Sequence, residues 1–155
     1  GKIKFTKSVP LTVTYHDPCH LGRLGEKYEP WNGKEKKIFN QIQIWEPRRP
    51  RYNGAHGIYD APRNILQSIP GVKLVEMERI REYSWCCGAG GGCNESNPEL
   101  STWTAGERIT EANATGANVL VTACPWCEDN FMNAVDEDGN KMKVLDIIEL
   151  VQQAL

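Results

Sequence analysis

The sequence predicts an α/β fold, a mostly parallel sheet of about four strands with helices on both faces. Two observations carry that expectation. Short runs rich in Val, Leu and Thr recur along the chain, and the stretches between them carry helix start and stop signals, the order that β-α-β units produce. The 155 residues are enough for one domain to bury a core without disulfides.

Each element follows from local signals. Leu11-Thr12-Val13-Thr14-Tyr15 alternates as a strand and runs directly into His16-Asp17-Pro18-Cys19-His20. Asp60 reads as an N-cap, with Pro62 in the first turn, Ile65, Leu66 and Ile69 as the apolar face, and Pro70-Gly71 as the stop. Val72 to Met77 reads as a second strand. Asn97-Pro98-Glu99 opens a helix that Gly116 closes. Asn118 to Thr122 is a third strand, followed at once by Cys124-Pro125-Trp126-Cys127 and a helix through about Val135. Asp138-Gly139 marks a turn, Val144-Leu145 a short fourth strand, and Asp146 caps a last helix through Val151. In sheets of this kind ligands sit beyond the carboxyl ends of the strands. Cys19 and Cys124 each fall just after a predicted strand, so a cysteine site is expected at that end.

Composition excludes more than it assigns. Hydrophobic content of 40% and charged content of 25% are those of an ordinary globular protein, and the net charge of -2 gives no reason to expect nucleic acid or an anionic membrane as partner. No apolar stretch approaches the roughly 20 residues that span a bilayer, and no signal peptide is visible. The chain opens on Gly1, which reads as a domain cut from a longer protein. Residues 24–51 break the pattern. They hold Trp31, Trp45 and three prolines, with seven basic residues against four acidic ones. This segment reads as an insertion near the presumed site, either a solvated loop pinned by its tryptophans or a docking surface or lid.

The cysteines carry the chemistry. Adjacent Cys86-Cys87 is awkward for ordinary disulfide geometry, and the glycines at 88, 90, 91 and 92 let the backbone come close to a bound group. Six cysteines in an ordinary α/β composition point to a reducing compartment and to metal or redox chemistry rather than a disulfide scaffold. Cys124 and Cys127 are spaced to chelate on one turn, and Pro125 at the first helical position places Cys124 where the helix dipole favours a thiolate. Cluster iron wants soft anionic ligands, and backbone N–H groups at Gly88, Gly90 and Gly91 would tune it. A vicinal pair with a glycine run, with 36 residues between Cys87 and the Cys-x-x-Cys that opens at Cys124, is a specific pattern.

That pattern resembles the cysteine-rich CCG domain of heterodisulfide reductase catalytic subunits and their relatives. The resemblance rests on Tyr-His-Asp-Pro-Cys-His-Leu-Gly-Arg (15–23), Tyr-Asp-Ala-Pro-Arg (59–63), Ile-Pro-Gly-Val (69–72), Cys-Cys-Gly-Ala-Gly-Gly-Gly (86–92) and Thr-Ala-Cys-Pro-Trp-Cys (122–127). It covers nearly all of the chain outside 24–51. It implies a single CCG-type domain over 1–155, part of a longer iron–sulfur protein. It also implies that Cys19, Cys86, Cys87, Cys124 and Cys127 bind a noncubane 4Fe-4S cluster, with disulfide cleavage at Cys86 and Cys87. Electrons would come from a partner iron–sulfur domain or subunit, in the cytoplasm or at the inner face of a membrane that only partner subunits enter. Relatives of this type also relay electrons between flavoproteins and quinone, and others hold zinc in a comparable site. Two departures stand out. The 66 residues between Cys19 and Cys86 exceed the family's usual spacing, and Cys93 directly follows the glycine run. Cys93 reads as a small packed residue ahead of a sixth ligand or a resolving thiol.

Competing functions use the same residues. A zinc module would take four ligands from Cys19, one of the pair, Cys124 and Cys127. A cluster-free thiol–disulfide oxidoreductase would use Cys-Pro-Trp-Cys alone and leave the pair and glycines unexplained. Of the histidines beside Cys19, His16 and His20, one is expected to order the loop and the other to be exposed. The functional alternative is proton donation to a leaving thiolate. His56 has nothing to single it out. Arg23 and Arg63 are expected in ion pairs before substrate binding, and Trp85 and Trp126 are expected to shield a cluster from water.

Overall fold

The computed structural model describes residues 3–138 and 141–155. Strand β1 spans Thr12–Tyr15, and β2 (Lys34–Ile38) and β3 (Ile42–Glu46) form an antiparallel hairpin within segment 24–51. Helix α1 (Asp60–Ser68) leads to β4 (Lys73–Leu74). Then come α2 (Cys93–Ser96), α3 (Pro98–Ala114), β5 (Val119–Thr122), α4 (Pro125–Asp138), β6 (Lys143–Asp146) and α5 (Ile147–Ala154). The main sheet has four strands in the order β4-β1-β5-β6, all parallel.

Alternation along the strands feeds two separate cores. Val13, Tyr15, Val119, Val121 and Leu145 pack with Leu66 of α1 and with Ile147, Leu150 and Ala154 of α5. Leu120 and Val144 pack with Ala105, Ile109 and Ala112 of α3 and with Cys127, Phe131 and Ala134 of α4. Period-two strands thus bury both faces, as a parallel sheet sandwiched between helices requires.

Helix boundaries follow their caps. The Asn97 side chain accepts from Leu100 N–H and Pro98 opens α3, while Gly116 takes φ +74° just past its end. Asp146 and Glu149 form a full capping box at α5. Three expectations are corrected. Tyr59, not Asp60, is the N-cap of α1, because the Asp60 carboxylate accepts from Arg81 Nη2 at 2.6 Å. Ile65 is 41% exposed and lies off the apolar face. The second strand shortens to Lys73–Leu74, although Val75 N–H still reaches Val13 O at 2.9 Å. Beyond it Glu76 is engaged by Arg63 and Met77 enters the α3/α4 core. Helix α4 runs on to Asp138, and Gly139 of the expected turn lies outside the described residues. No helix among the described residues is long and apolar enough to cross a membrane.

Candidate metal centre

Three stretches far apart in sequence line one cavity of about 250 Å³. The loop after β1 brings Cys19 and His20, and the loop after β4 brings Cys86, Cys87, Ala89 and Gly90–Gly92. Glu95 of α2 follows closely on that loop, and the third stretch brings Cys124 from the β5–α4 turn with Trp126 and Cys127 from the first turn of α4. All five expected cysteines are therefore at one place. All six cysteines of the chain are free thiols. Cys87 and Cys127 are buried, Cys19 and Cys124 half-buried, and Cys86 is exposed.

The sulfurs are close enough to perturb one another. Hydrogen bonding to Cys86, then burial, pushes the Cys19 thiol well up, against the opposing guanidinium of Arg23. Cys87 is pushed up to about 12, chiefly by its hydrogen bond to Cys127. Thiols that resist ionisation one by one, packed side by side, are what a shared cation would relieve, because a metal ligates thiolates and releases their protons.

The glycine run does two different jobs. Gly88 sits at φ +89°, and a Cβ there would meet Ser101 O at 2.4 Å, so only glycine lets this backbone lie against α3. Its N–H donates to Cys86 Sγ at 3.3 Å, and the Ala89 N–H bonds Cys87. Gly90 and Gly91 have open space where a Cβ would stand and line the cavity. Five soft donors, with backbone N–H groups already aimed at two of the sulfurs, fit a thiolate-held iron–sulfur group.

Residues around the cysteines fix the loops. Arg23 donates from Nη2 to Cys19 Sγ at 2.8 Å and from Nη1 to the carbonyls of Glu82 and Ser84 at 2.9 and 2.8 Å. Arg63 is buried in a bidentate pair with Asp17 at 2.7 and 2.8 Å and also binds Glu76, so it is structural. His16 is the buried histidine, accepting at Nδ1 from Arg108 Nε at 3.2 Å, and His20 is exposed. Burial and the cationic Arg108 and Arg23 hold the His16 pKa well below its ordinary range. Trp126 stands at the cavity wall, 55% exposed. Trp85 does not line it. Its ring is instead stacked under Arg79 at 4.0 Å, which corrects the expected shielding role. Cys93 opens α2, half-buried and off the cavity wall. His56 lies against a different hollow beside Glu26.

Sequence reasoning missed three supports. Asn130, 1% exposed, donates to Cys87 O at 2.6 Å and to Ser101 O at 3.1 Å. Ser101 donates to Gly88 O at 3.1 Å. Arg108, fully buried, joins His16 to Ser84 Oγ and Glu111. Two signals were available. Asn130 follows Cys127 by one helical turn, and Arg108 sits on the apolar stripe made by Ala105, Ile109 and Ala112. Nothing in the sequence marks Ser101.

Comparison with known proteins finds relatives along nearly the whole chain. Over 155 residues the chain is 42% identical to a subunit of the dihydromethanophenazine:CoB–CoM heterodisulfide reductase of Methanosarcina mazei, covering 99% of this chain and 30% of that one. It is 32% identical over 157 residues to a probable iron-sulfur-binding oxidoreductase of Bacillus subtilis, covering 18% of the latter. It is 28% identical over 164 residues to the EtfAB:quinone oxidoreductase of Syntrophomonas wolfei, again 18% of that protein. The chain thus spans less than a third of the length of these relatives. Residues 48–132, which include every cavity cysteine except Cys19, match the family model for the CCG cysteine-rich domain, and the chain belongs to that family.

Proposed function

We propose that this chain is the cluster-binding domain of an iron–sulfur oxidoreductase of heterodisulfide reductase type. Cys19, Cys86, Cys87, Cys124 and Cys127 would hold a noncubane 4Fe-4S cluster, and the observation that carries the reading is their convergence on one cavity. The Methanosarcina mazei relative, similar along 99% of this chain, is named for heterodisulfide reduction, which supports the choice of reaction.

When bound, such a cluster supplies electrons singly. The overall reaction consumes one disulfide, two electrons and two protons and yields two thiols. The electrons come from an iron–sulfur partner domain or subunit. This chain's own residues bind and position. Cys86 is the exposed member of the pair and meets the substrate, while Cys87, buried behind it, holds the group in place. Gly88 and Ala89 N–H groups stabilise thiolate charge at both sulfurs. Gly90 and Gly91 leave the cavity open to a substrate sulfur. The site works on the cytoplasmic side, with any membrane contact made through partner subunits.

Electron relay toward quinone is the second reading, favoured by the likeness to the Syntrophomonas wolfei oxidoreductase. Anaerobic reconstitution with iron and sulfide decides the first step: the protein turns brown and holds about four iron and about four sulfide per chain. A colourless protein with one tight zinc overturns it. Oxidation in the presence of a thiol then separates the two roles. A new paramagnetic signal that Cys87→Ser abolishes supports the reductase, and a potential indifferent to thiol supports the relay.

A further inference from the structure

His16 resembles a metal ligand at first sight. A ring nitrogen of His16 and the sulfurs of Cys87 and Cys127 lie within 4.8 Å of one another, and all three residues are buried. His16 is fully buried, and its Nε2 has no hydrogen-bond partner among the described residues. A buried nitrogen without a partner, on a ring that stands beside two sulfurs, calls for an explanation.

Its other nitrogen decides the matter. Nδ1 faces the Nε–H of Arg108 at 3.2 Å. A guanidinium has only donors, so Nδ1 must present its lone pair and the single ring proton must sit on Nε2. The imidazolium is excluded for the same reason, because it would point an N–H at an N–H beside a fixed positive charge. Histidine ligands have the reverse arrangement, with the second nitrogen donating to a carboxylate or carbonyl. Coordination through Nε2 would drive the proton to Nδ1, donor against donor. Arg108 cannot swing away, since it is fully buried and also bound to Ser84 Oγ at 3.1 Å and to Glu111 at 2.6 Å. Phe131 holds the imidazole by an edge contact at 4.9 Å.

We propose that His16 is not a ligand but a fixed hydrogen-bond donor, keeping its unpartnered Nε2–H for the sulfide of the group that Cys87 and Cys127 would hold, with Arg108 as the positioning residue that sets its tautomer. The inference rests on the proposed cluster site for its acceptor and on the protein alone for its tautomer. An N–H donated to ligand sulfur stabilises the reduced, more negative state and raises the potential of the bound group. Arg108 acts only through the imidazole.

Three readouts test it. Long-range nitrogen–proton correlation spectra of the metal-free chain should show His16 only as the Nε2–H tautomer, and Arg108→Gln should let Nδ1–H appear. An Nδ1–H tautomer in the unaltered chain overturns the proposal. Cobalt(II) loaded in place of iron should give the same thiolate-to-metal charge-transfer bands in His16→Gln as in the unaltered chain, with a loss only in Cys127→Ser. A band that changes with His16→Gln makes His16 a ligand and overturns it. In the iron–sulfur form, His16→Leu should lower the reduction potential and His16→Gln, which keeps an N–H at the same reach, should restore it. Equal potentials in all three forms overturn the donor role. A chain that takes up no iron or sulfide sinks the cluster assignment, and the tautomer and cobalt readouts then decide His16 by themselves.

Discussion

The guanidinium of Arg23 lies 2.8 Å from Cys19 Sγ and, through its other nitrogen, clasps the carbonyls of Glu82 and Ser84 just ahead of Cys86. One side chain thus joins the loop after β1 to the loop that carries the cysteine pair, and it presents positive charge to a sulfur. Arg23→Lys keeps the charge and loses the fork, so it should weaken metal retention by about 10-fold, and Arg23→Ala by up to about 100-fold, the usual range for a group that orients a ligand. Competition with a chelator measures both. Affinity unchanged in the two variants would mean that charge and fork contribute nothing at Cys19.

The glycines separate by position. Gly88→Ala forces a side chain onto φ +89° and against Ser101 O, so it should cost the fold about 1–3 kcal/mol from backbone strain, and more from the clash. Gly90→Ala puts a methyl into open space at ordinary φ and should change stability by less than about 0.5 kcal/mol. Urea unfolding of the two metal-free variants makes the comparison. A Gly90→Ala protein that folds normally but reconstitutes poorly would place the glycine requirement in the cavity instead of the backbone.

The fold was legible because it is written in local patterns. The strands at 12–15, 119–122 and 143–146 are apolar and β-branched, and the helix signals at Asn97-Pro98 and Asp146 act over three or four residues. The cysteines were legible from spacing and residue type. What escaped was held by contacts across 13 to 92 positions of sequence: Ser101 to Gly88, Asn130 to Cys87, Arg108 to His16. Polar side chains that brace a loop leave no period behind them, and a serine in a helix looks the same whether it supports a cysteine or faces water. Asp60 misled for the same reason: its capping chemistry was sound, but a distant Arg81 engaged the carboxylate.

Asp17 and Arg63 form a buried pair, with side chains 1% and 6% exposed, and Asp17 stands one residue from His16 and two from Cys19. Asp17 also accepts from the Arg81 backbone N–H at 2.7 Å, so it ties the loop after β1 to the segment leading to the cysteine pair. Arg63→Met would strand a buried carboxylate and should cost about 3–5 kcal/mol. Asp17→Asn with Arg63→Met removes both charges and should recover part of that loss. Denaturation midpoints of the single and double variants give the coupling, and strict additivity would show that the pair does not act as a unit.

The raised thiols make the metal-free chain sensitive to alkali. Cys87 goes from an ordinary 9.0 to about 12 in the fold, so between those values the folded chain holds a proton that the unfolded chain has lost. By linkage its contribution to stability is complete below pH 9 and disappears as pH climbs toward 12. Cys19 shifts in the same direction, chiefly through its hydrogen bond to Cys86, and adds to the effect. The thermal midpoint of the anaerobic, metal-free chain should therefore fall steadily above pH 9. Metal reverses the dependence, because ligation needs the thiolates and expels their protons, so apparent affinity for zinc or cobalt should rise with pH across the range where the apo fold is still intact. A bound form that showed the same alkaline loss as the metal-free chain would mean that Cys19 and Cys87 keep their protons and are not ligands.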